Sequence, residues 1–182
     1  MSSKASLAPE WRVQKWFNAK KPIQLSDLRG KVVVLHTFQM LCPGCVMYGL
    51  PQAQKIHNMF PKKDVAVIGL HTVFEHHDAM TPTALEAFIH EYRFSFPIGV
   101  DEPGESNGVP YTMRTYGMRG TPSLVLVDRE GYVRKHGFGR EDDMALGAEI
   151  ATLLNLPTET HASTSANSAE ANTGCDDSEC AV

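Results

Sequence analysis

Two stretches of the chain are apolar on both faces, a pattern typical of strands buried in the middle of a sheet. They are residues 31–38, "KVVVLHTF", and residues 64–73, "DVAVIGLHTV", and both are rich in β-branched side chains. A third apolar stretch opens "PSLVLVDREGYVRKHGF", where Asp-Arg-Glu-Gly separates it from a run of alternating character. This pattern predicts a β-hairpin over residues 122–138 with its turn at 128–131.

Three other stretches have the length and apolar spacing of helices. Residues 46–60 follow the first buried strand, and Pro51 is expected to kink a helix there. Residues 81–92 open with Thr81 as the N-cap residue, followed by a proline suited to the first helical position. Residues 140–154 carry acids in the first turn and four apolar side chains on one face: Leu146, Ile150, Leu153 and Leu154.

The elements follow one another as strand, helix, strand, helix, hairpin and helix. This order predicts an α/β fold with a central mixed β-sheet and helices on both faces. Residues 10–18 are expected to add a strand pair at the start, with Trp11 and Trp16 as packing residues. Residues 95–101 are expected to form a short strand or extended segment.

The composition changes after Leu156. Residues 157–182 are rich in Ser, Thr, Ala and Asn and contain no large apolar residue before Val182. Such a segment cannot bury enough surface to offset the entropy lost on ordering. We therefore expect one domain over residues 1–156 and a flexible tail over residues 157–182.

The overall composition excludes several classes of function. The 182 residues are 42% hydrophobic with a net charge of −4, which suits a domain with a substantial core. No block of Lys and Arg is present, so nucleic acid is not an expected partner. The apolar runs are too short to span a bilayer, so no membrane partner is expected. The N-terminal residues lack the apolar segment of a secretory signal, and a cytoplasmic location is expected.

The four cysteines form two close pairs, Cys42 with Cys45 and Cys175 with Cys180. In a reducing compartment such pairs are more often catalytic or metal-binding than structural. The first pair lies where a buried strand runs into a helix, so Cys42 is expected at the positive end of that helix, which favours a thiolate. Pro43 suits the first helical turn because its missing N–H is not needed there.

Cys45 is expected one turn further into the helix, within disulfide distance of Cys42 and more shielded from solvent. This arrangement predicts a division of labour between the two sulfurs. Cys42 attacks a substrate disulfide to form a mixed disulfide, and Cys45 then resolves it. A redox-active disulfide of this kind needs no bound cofactor.

The segment "LSDLRGKVVVLHTFQMLCPGC", followed far downstream by "YGMRGTPSLVLVDREGYV", resembles the thioredoxin-like superfamily. Within it the chain is most similar to the TlpA-like branch of redoxins, which is related to the AhpC/TSA proteins. The similarity implies a thioredoxin-like fold with an N-terminal β extension and the activity of a thiol-disulfide oxidoreductase. The expected substrate is a protein or small-molecule disulfide, and the expected partner is an upstream dithiol or thiol electron donor. A cytoplasmic location favours reduction of the substrate.

The resemblance also implies roles for individual residues. It implies a cis peptide bond before Pro122, packing of that proline against the cysteine pair, and a Thr121 backbone that meets the substrate. Leu41 stands where relatives often carry Trp. Together with Met40 and Met47 it is expected to form an apolar rim on which a protein substrate docks.

Two neighbours are candidates for proton transfer. His36 lies six residues before Cys42, where thioredoxins often carry a buried aspartate, and a histidine there could relay protons near neutral pH. The alternative is a core histidine bonded to a backbone carbonyl. Glu75 follows the second buried strand, where an acid of this branch can approach the active site. The alternative is a solvated loop acid.

Three other functions stay open for the first cysteine pair. A zinc site would need further ligands, with His71, His76 and His77 as candidates. A peroxidase would use Cys45, or Cys42, as the attacking thiol, but the arginine expected near it would fall at Pro122, and Arg119 is three residues away from that position. The third is a thioredoxin-like module that binds a partner without catalysis. No metal is expected as a resident cofactor.

The second pair is a candidate for a second redox couple. A tail of this length could carry Cys175 and Cys180 to the active site, where they would exchange electrons with the first pair. The alternative is a tail whose thiols have no function.

Overall fold

The computed structural model of the chain describes residues 6–104 and 108–156. The predicted tail, with Cys175 and Cys180, lies outside the described residues. The described part contains six strands, four α-helices, a short 3₁₀ turn at Leu25–Leu28 and a π-helical turn at Cys45–Gly49. The strands are β1 (Val13–Phe17), β2 (Val32–Phe38), β3 (Val65–His71), β4 (Ile98–Asp101), β5 (Ser123–Val127) and β6 (Val133–Phe138). The helices are α1 (Leu50–Met59), α2 (Pro82–Tyr92), α3 (Tyr111–Thr115) and α4 (Asp143–Asn155).

The six strands form one mixed sheet in the order β1-β4-β3-β2-β5-β6. β2 and β3 pair in parallel, as do β3 and β4, because a helix connects each pair. β5 returns antiparallel to β2, and the predicted hairpin joins it to β6. The α/β architecture with a mixed central sheet is therefore confirmed.

The two buried faces of the sheet can be followed along β2, which is buried throughout. Its side chains alternate between the faces, as the pleat requires. Val32, Val34 and Phe38 join the cluster formed with α1, α2 and α4. Val33 and Leu35 join the cluster formed with the N-terminal segment and α3. Helices lie on both faces, as predicted, but the three longer helices share one of them.

The strand pair expected near the N-terminus is wrong. Residues 13–17 form the single strand β1, which pairs antiparallel with β4. Its partner lies more than 80 residues away along the chain, so local patterning could not reveal the pairing. Trp11 is buried, and its indole N–H donates to the carbonyl of Ile23 at 2.8 Å. Its ring meets Trp16 edge to face, so both residues pack as expected.

A kink was expected at Pro51. The structure instead has a π-helical turn just before this proline. Pro51 lies in the first turn of α1, directly after the π-helical turn Cys45–Gly49. Because proline lacks an N–H, it cannot bond the carbonyl four residues earlier, and a wider turn precedes it. The turn that carries Cys45 is therefore wider than an ordinary α-turn.

The other helix ends follow local rules in part. Thr81 caps α2, since its hydroxyl accepts the backbone N–H of Ala84 at 3.2 Å. The short helix α3 was not indicated by any local pattern. It is held by the buried carboxylate of Asp101, which accepts the backbone N–H groups of Thr112 and Met113.

In the part of the chain that the structure describes, no helix has both the length and the apolar character to cross a bilayer.

Candidate active site

The two cysteines of the first pair lie where β2 gives way to the helix. Cys42 directly precedes the first helical residue, as predicted, and its backbone N–H donates to the carbonyl of Gln39 at 3.2 Å. Its sulfur accepts the backbone N–H of Cys45 at 3.3 Å. The Cys42 sulfur therefore lies at the N-terminal end of the helix, where backbone N–H groups and the helix dipole present partial positive charge.

The two sulfurs differ in their access to solvent. Cys42 is partly exposed, whereas Cys45 is 0% exposed. Burial is the main cause that raises the pKa of the Cys45 thiol to about 12, and its hydrogen bond with Cys42 adds to the rise. Hydrogen bonds from the Gln39 backbone and the Thr121 side chain act in the opposite direction. An incoming disulfide therefore meets the Cys42 sulfur first, while Cys45 holds its proton at neutral pH.

The loop before β5 closes over the start of the helix. The peptide bond between Thr121 and Pro122 is cis, as the resemblance implied. The Cys42 thiol donates to the Thr121 carbonyl at 3.4 Å. Two glycines allow the loop to approach, because a Cβ at Gly44 would lie 3.2 Å from Pro122 Cδ and one at Gly49 would lie 3.2 Å from Pro122 Cβ.

His36 lies on the same face of β2 as the helix that carries Cys45. It is 3% exposed, and neither ring nitrogen has a hydrogen-bond partner among the described residues. Its Nδ1 lies 3.7 Å from the position that a Gly49 Cβ would take. Burial lowers the pKa of His36 to about 4, so its ring is neutral at neutral pH. The structure thus differs from both expectations, since no backbone carbonyl bonds the ring and its titration falls below neutral pH.

Glu75 is exposed and is joined to the cysteine loop through Gln39. The side-chain N–H of Gln39 donates to Glu75 Oε1 at 3.2 Å, and Gln39 Oε1 accepts the backbone N–H of Phe74 at 3.2 Å. Gln39 is itself buried, and its backbone bonds both cysteines. Sequence reasoning missed Gln39. The signal was a single amide side chain directly after β2, three residues before Cys42.

Three exposed apolar side chains lie within six residues of Cys42 along the chain. Leu41 is 57% exposed, Met47 59% and Tyr48 41%. Met40, which was expected to join this rim, is instead buried in the core. Because side chains alternate as the chain leaves β2, Met40 points inward and Leu41 outward. Pro43 is exposed beside Leu41.

The candidate zinc ligands do not converge. His71 is fully buried in β3, 5.2 Å from the Phe38 ring, while His76 and His77 lie on an exposed loop. Within residues 6–104 and 108–156, no group of three or more His, Cys, Asp or Glu is arranged to hold a metal ion. Arg119, the arginine considered for a peroxidase, is exposed. Its guanidinium lies 6.0 Å from the ring centre of Phe138.

Comparison with known proteins gives matches over most of the chain. The model of the AhpC/TSA family matches residues 5–136. The thiol-disulfide oxidoreductase ResA of Bacillus thuringiensis subsp. konkukian is 30% identical over 114 residues, which are 62% of this chain and 58% of that protein. The chain thus spans less than two thirds of the length of this curated relative.

Two crystal structures resemble the chain more strongly. A thioredoxin-like superfamily protein is 59% identical with a TM-score of 0.82, and the match covers 84% of this chain and 99% of the other. A thiol-disulfide isomerase from Corynebacterium glutamicum is 52% identical with a TM-score of 0.80, over 84% of this chain and 98% of the other.

Proposed function

Because the chain belongs to the AhpC/TSA family of thioredoxin-like proteins, we propose that it is a thiol-disulfide oxidoreductase that reduces disulfides through Cys42 and Cys45. One observation carries this proposal. The partly exposed Cys42 sulfur lies at a helix start and accepts the N–H of Cys45, whose own thiol is buried one turn away. Relatives named as a thiol-disulfide oxidoreductase and a thiol-disulfide isomerase support it.

The proposed reaction moves two electrons from the cysteine pair to the substrate. The Cys42 thiolate attacks one sulfur of a substrate disulfide, and the other sulfur leaves as a thiolate that takes up a proton. Cys45 then loses its proton and attacks the Cys42 sulfur, which releases the second substrate thiolate and leaves Cys42–Cys45 oxidised. An upstream dithiol or thiol donor restores the pair by the reverse steps. No bound cofactor is needed, because the sulfurs hold the electrons.

The substrate is proposed to lie between two loops. Leu41 and Pro43 flank Cys42 in the chain and are exposed, and the Thr121 carbonyl bonds the Cys42 thiol. An extended segment of a protein substrate can meet the Thr121 backbone while its apolar side chains contact Leu41. A small-molecule disulfide would use the same entry with fewer contacts.

The second step needs an acceptor for the Cys45 proton, because that thiol is protonated at neutral pH. Glu75 is the proposed acceptor, since Gln39 joins its carboxylate to the loop that bonds both cysteines. His36 is proposed as a transient partner near the same helical turn, because both of its nitrogens are unpartnered among the described residues. Burial lowers the pKa of His36 to about 4, so its ring is neutral at neutral pH.

Reduction of insulin disulfides with dithiothreitol as donor tests the proposal. The wild-type chain is expected to accelerate precipitation of the insulin B chain. Cys42→Ser is expected to abolish this activity, and Cys45→Ser is expected to stop turnover and accumulate a mixed disulfide at Cys42. Full activity in Cys42→Ser would overturn the assignment.

The same variants separate the alternatives. A peroxidase that uses Cys45 would consume hydrogen peroxide rapidly in Cys42→Ser and lose this activity in Cys45→Ser. The complete burial of Cys45 disfavours that role. A non-catalytic module would show neither activity and would retain a partner without turnover. The cytoplasmic location stays a prediction that fractionation of the native cell can test.

A further inference from the structure

Charge is distributed unevenly between residues 1–156 and residues 157–182. Residues 1–156 contain all 17 Lys and Arg and 16 of the 21 Asp and Glu, which leaves them a net charge of +1. Residues 157–182 contain five acids and no Lys or Arg. Three of these acids lie within "CDDSEC", the segment of residues 175–180. The second cysteine pair is therefore embedded in negative charge.

A basic and aromatic surface flanks the candidate active site. We call it the basic rim, and it consists of Tyr48, Arg119, Phe138 and Arg140. The guanidinium of Arg140 lies 4.6 Å from the Tyr48 ring centre, and Tyr48 lies three residues after Cys45. Arg119 lies two residues before Thr121, and its guanidinium is 6.0 Å from the ring centre of Phe138. The rim therefore reaches the loop whose carbonyl bonds the Cys42 thiol.

The strand end that carries the rim is fixed to this loop. The backbone N–H of Gly139 donates to the Pro122 carbonyl at 2.8 Å. A Cβ at Gly120 would lie 3.0 Å from the Phe138 ring. Because Gly139 lies between Phe138 and Arg140, both rim residues are held beside Pro122.

The acids nearest the rim are already engaged. Glu141 pairs with Lys135 at 2.9 Å, and Asp143 pairs with Lys55 at 2.8 Å. Asp142 caps α4 by accepting two backbone N–H groups. Within the described residues, neither Arg119 nor Arg140 has a carboxylate within salt-bridge distance. The rim therefore presents two guanidiniums that are free to pair with an incoming acid.

The chain is long enough to bring the second cysteine pair to the rim. α4 begins beside α1, where Gln52 donates to Asp143 at 2.7 Å, and its 13 residues span about 20 Å. It ends at the opposite edge of the domain, where Arg129 in the hairpin turn bonds the Leu156 carbonyl. The 19 residues from Leu156 to Cys175 reach at most about 65 Å when extended, which is about three times the length of α4.

We propose that residues 175–180 dock on the basic rim of their own chain and exchange electrons with the Cys42–Cys45 disulfide. This inference rests on the proposed function, for which it names an internal electron donor. The acids around Cys175 disfavour its thiolate in solution, and contact with Arg119 and Arg140 offsets that effect. Docking thus both positions the tail dithiol and activates it. Linkage within one chain adds effective concentrations in the millimolar range.

The exchange balances without another reactant. The Cys175 thiolate attacks the Cys42 sulfur, so a Cys175–Cys42 bond forms while the Cys42–Cys45 bond breaks, and Cys45 leaves as a thiolate that takes up a proton. The Cys180 thiolate then attacks Cys175 and releases Cys42. Two electrons pass from the tail to the active site, and the tail is left as a Cys175–Cys180 disulfide. An external dithiol reduces that disulfide in turn.

The test uses the full chain with only Cys42 and Cys175 left as thiols, in the double variant Cys45→Ser, Cys180→Ser. One equivalent of 5,5′-dithiobis(2-nitrobenzoate) places a thionitrobenzoate group on a thiol and releases one coloured anion. Attack by the other thiol then releases a second anion, which reports formation of the Cys42–Cys175 bond. We expect this second phase to be first order and independent of protein concentration.

Charge variants then locate the docking site. Adding Arg119→Gln and Arg140→Gln, or raising the salt concentration, is expected to slow the second phase by about 3- to 10-fold. Lys63→Gln is the matched control, because this exposed lysine lies before β3, at the opposite end of the sheet from the cysteines. It is expected to leave the rate unchanged.

Three results would overturn the inference. The first is a second-phase rate that rises with protein concentration, because the tail would then react with a second copy of the chain. The second is a second-phase rate that neither salt nor the arginine variants change. The third is the absence of any second phase. Wild-type insulin reduction separates the two proposals. If it is present while the second phase is absent, only the tail inference fails, and if it is absent, the proposed function itself fails.

Discussion

The side chain of Gln39 bonds that of Glu75 at 3.2 Å, and this contact joins an exposed carboxylate to the loop that carries the cysteines. Gln39 also accepts the backbone N–H of Phe74, so it holds both the backbone and the carboxylate of the segment after β3. If Glu75 collects the Cys45 proton, its position depends on Gln39. The effect of either residue should then appear in resolution of the mixed disulfide rather than in its formation.

We therefore predict that Glu75→Gln and Gln39→Ala each slow resolution by about 10-fold or more, because each removes the positioned base. The double variant should be no slower than the worse single variant, since both changes remove one function. Rapid-quench measurement of the mixed disulfide reports the step. Glu91→Gln, on the exposed face of α2, is the control. Independent and additive effects would show that Gln39 does not act through Glu75.

The close approach of Pro122 to the helix predicts opposite effects of two Gly→Ala changes. A Cβ at Gly49 would lie 3.2 Å from Pro122, whereas one at Gly147 in α4 meets nothing within 4 Å. Gly147→Ala should raise the free energy of unfolding by about 0.5–1 kcal/mol through helix propensity. Gly49→Ala should be less stable than Gly147→Ala by about 1–3 kcal/mol because of crowding against Pro122.

Denaturant titration of both variants measures this difference, and insulin reduction measures its functional effect. Gly49→Ala should also lower the activity, because Pro122 must move away from the helix. Equal stabilisation by the two substitutions would mean that a Cβ at Gly49 does not crowd Pro122 in the loop before β5.

Much of the site could be predicted because its information is local. The start of the helix at Cys42 follows from an apolar strand that meets Pro43, and the greater burial of Cys45 follows from its place one turn further in. The cap at Thr81 is equally local. The failures involve partners distant in the sequence. β1 pairs with β4, Asp101 holds α3, and Gln39 reaches Glu75, and none of these contacts leaves a periodic pattern.

His36 shows a different limit of the sequence. Its place on β2 could be predicted, but its pKa could not, because the pKa depends on how completely the surrounding helices exclude water. Met40 and Leu41 show that alternation at the end of a strand can be misread by one residue. Leu41 is exposed, as a rim residue must be, whereas Met40 is buried and cannot belong to the rim.

Two of the buried histidines, His36 and His71, predict a loss of stability in acid. Burial lowers the pKa of His36 and of His71 from 6.5 to about 4, so the folded state excludes a proton that the unfolded chain binds. The unfolded state therefore binds more protons between these values, and stability rises with pH. The free energy of unfolding should be unaffected by them above about pH 6.5 and fall progressively towards pH 4, by about 3 kcal/mol for each histidine.

Urea titrations between pH 4 and 8 test this dependence. His71→Leu should flatten the curve, because it removes one of the buried histidines, whereas the exposed His90→Gln should not. Burial raises the pKa of Asp101, so the contribution of this residue to stability falls as the pH rises. This contribution should be the same in both variants. An equally steep curve in His71→Leu would contradict the assignment to His71.

The unequal burial of the two cysteines predicts selective alkylation. The pKa of Cys45 is raised to about 12 and its sulfur is 0% exposed, so almost none of it is a reachable thiolate at pH 7.5. In the reduced chain, iodoacetamide should label Cys45 at least about 100-fold more slowly than the partly exposed Cys42. Peptide mass spectrometry of timed samples measures both rates in one reaction. In urea the two rates should converge, because unfolding removes the burial, and similar rates in the folded chain would mean that the helical turn carrying Cys45 opens readily.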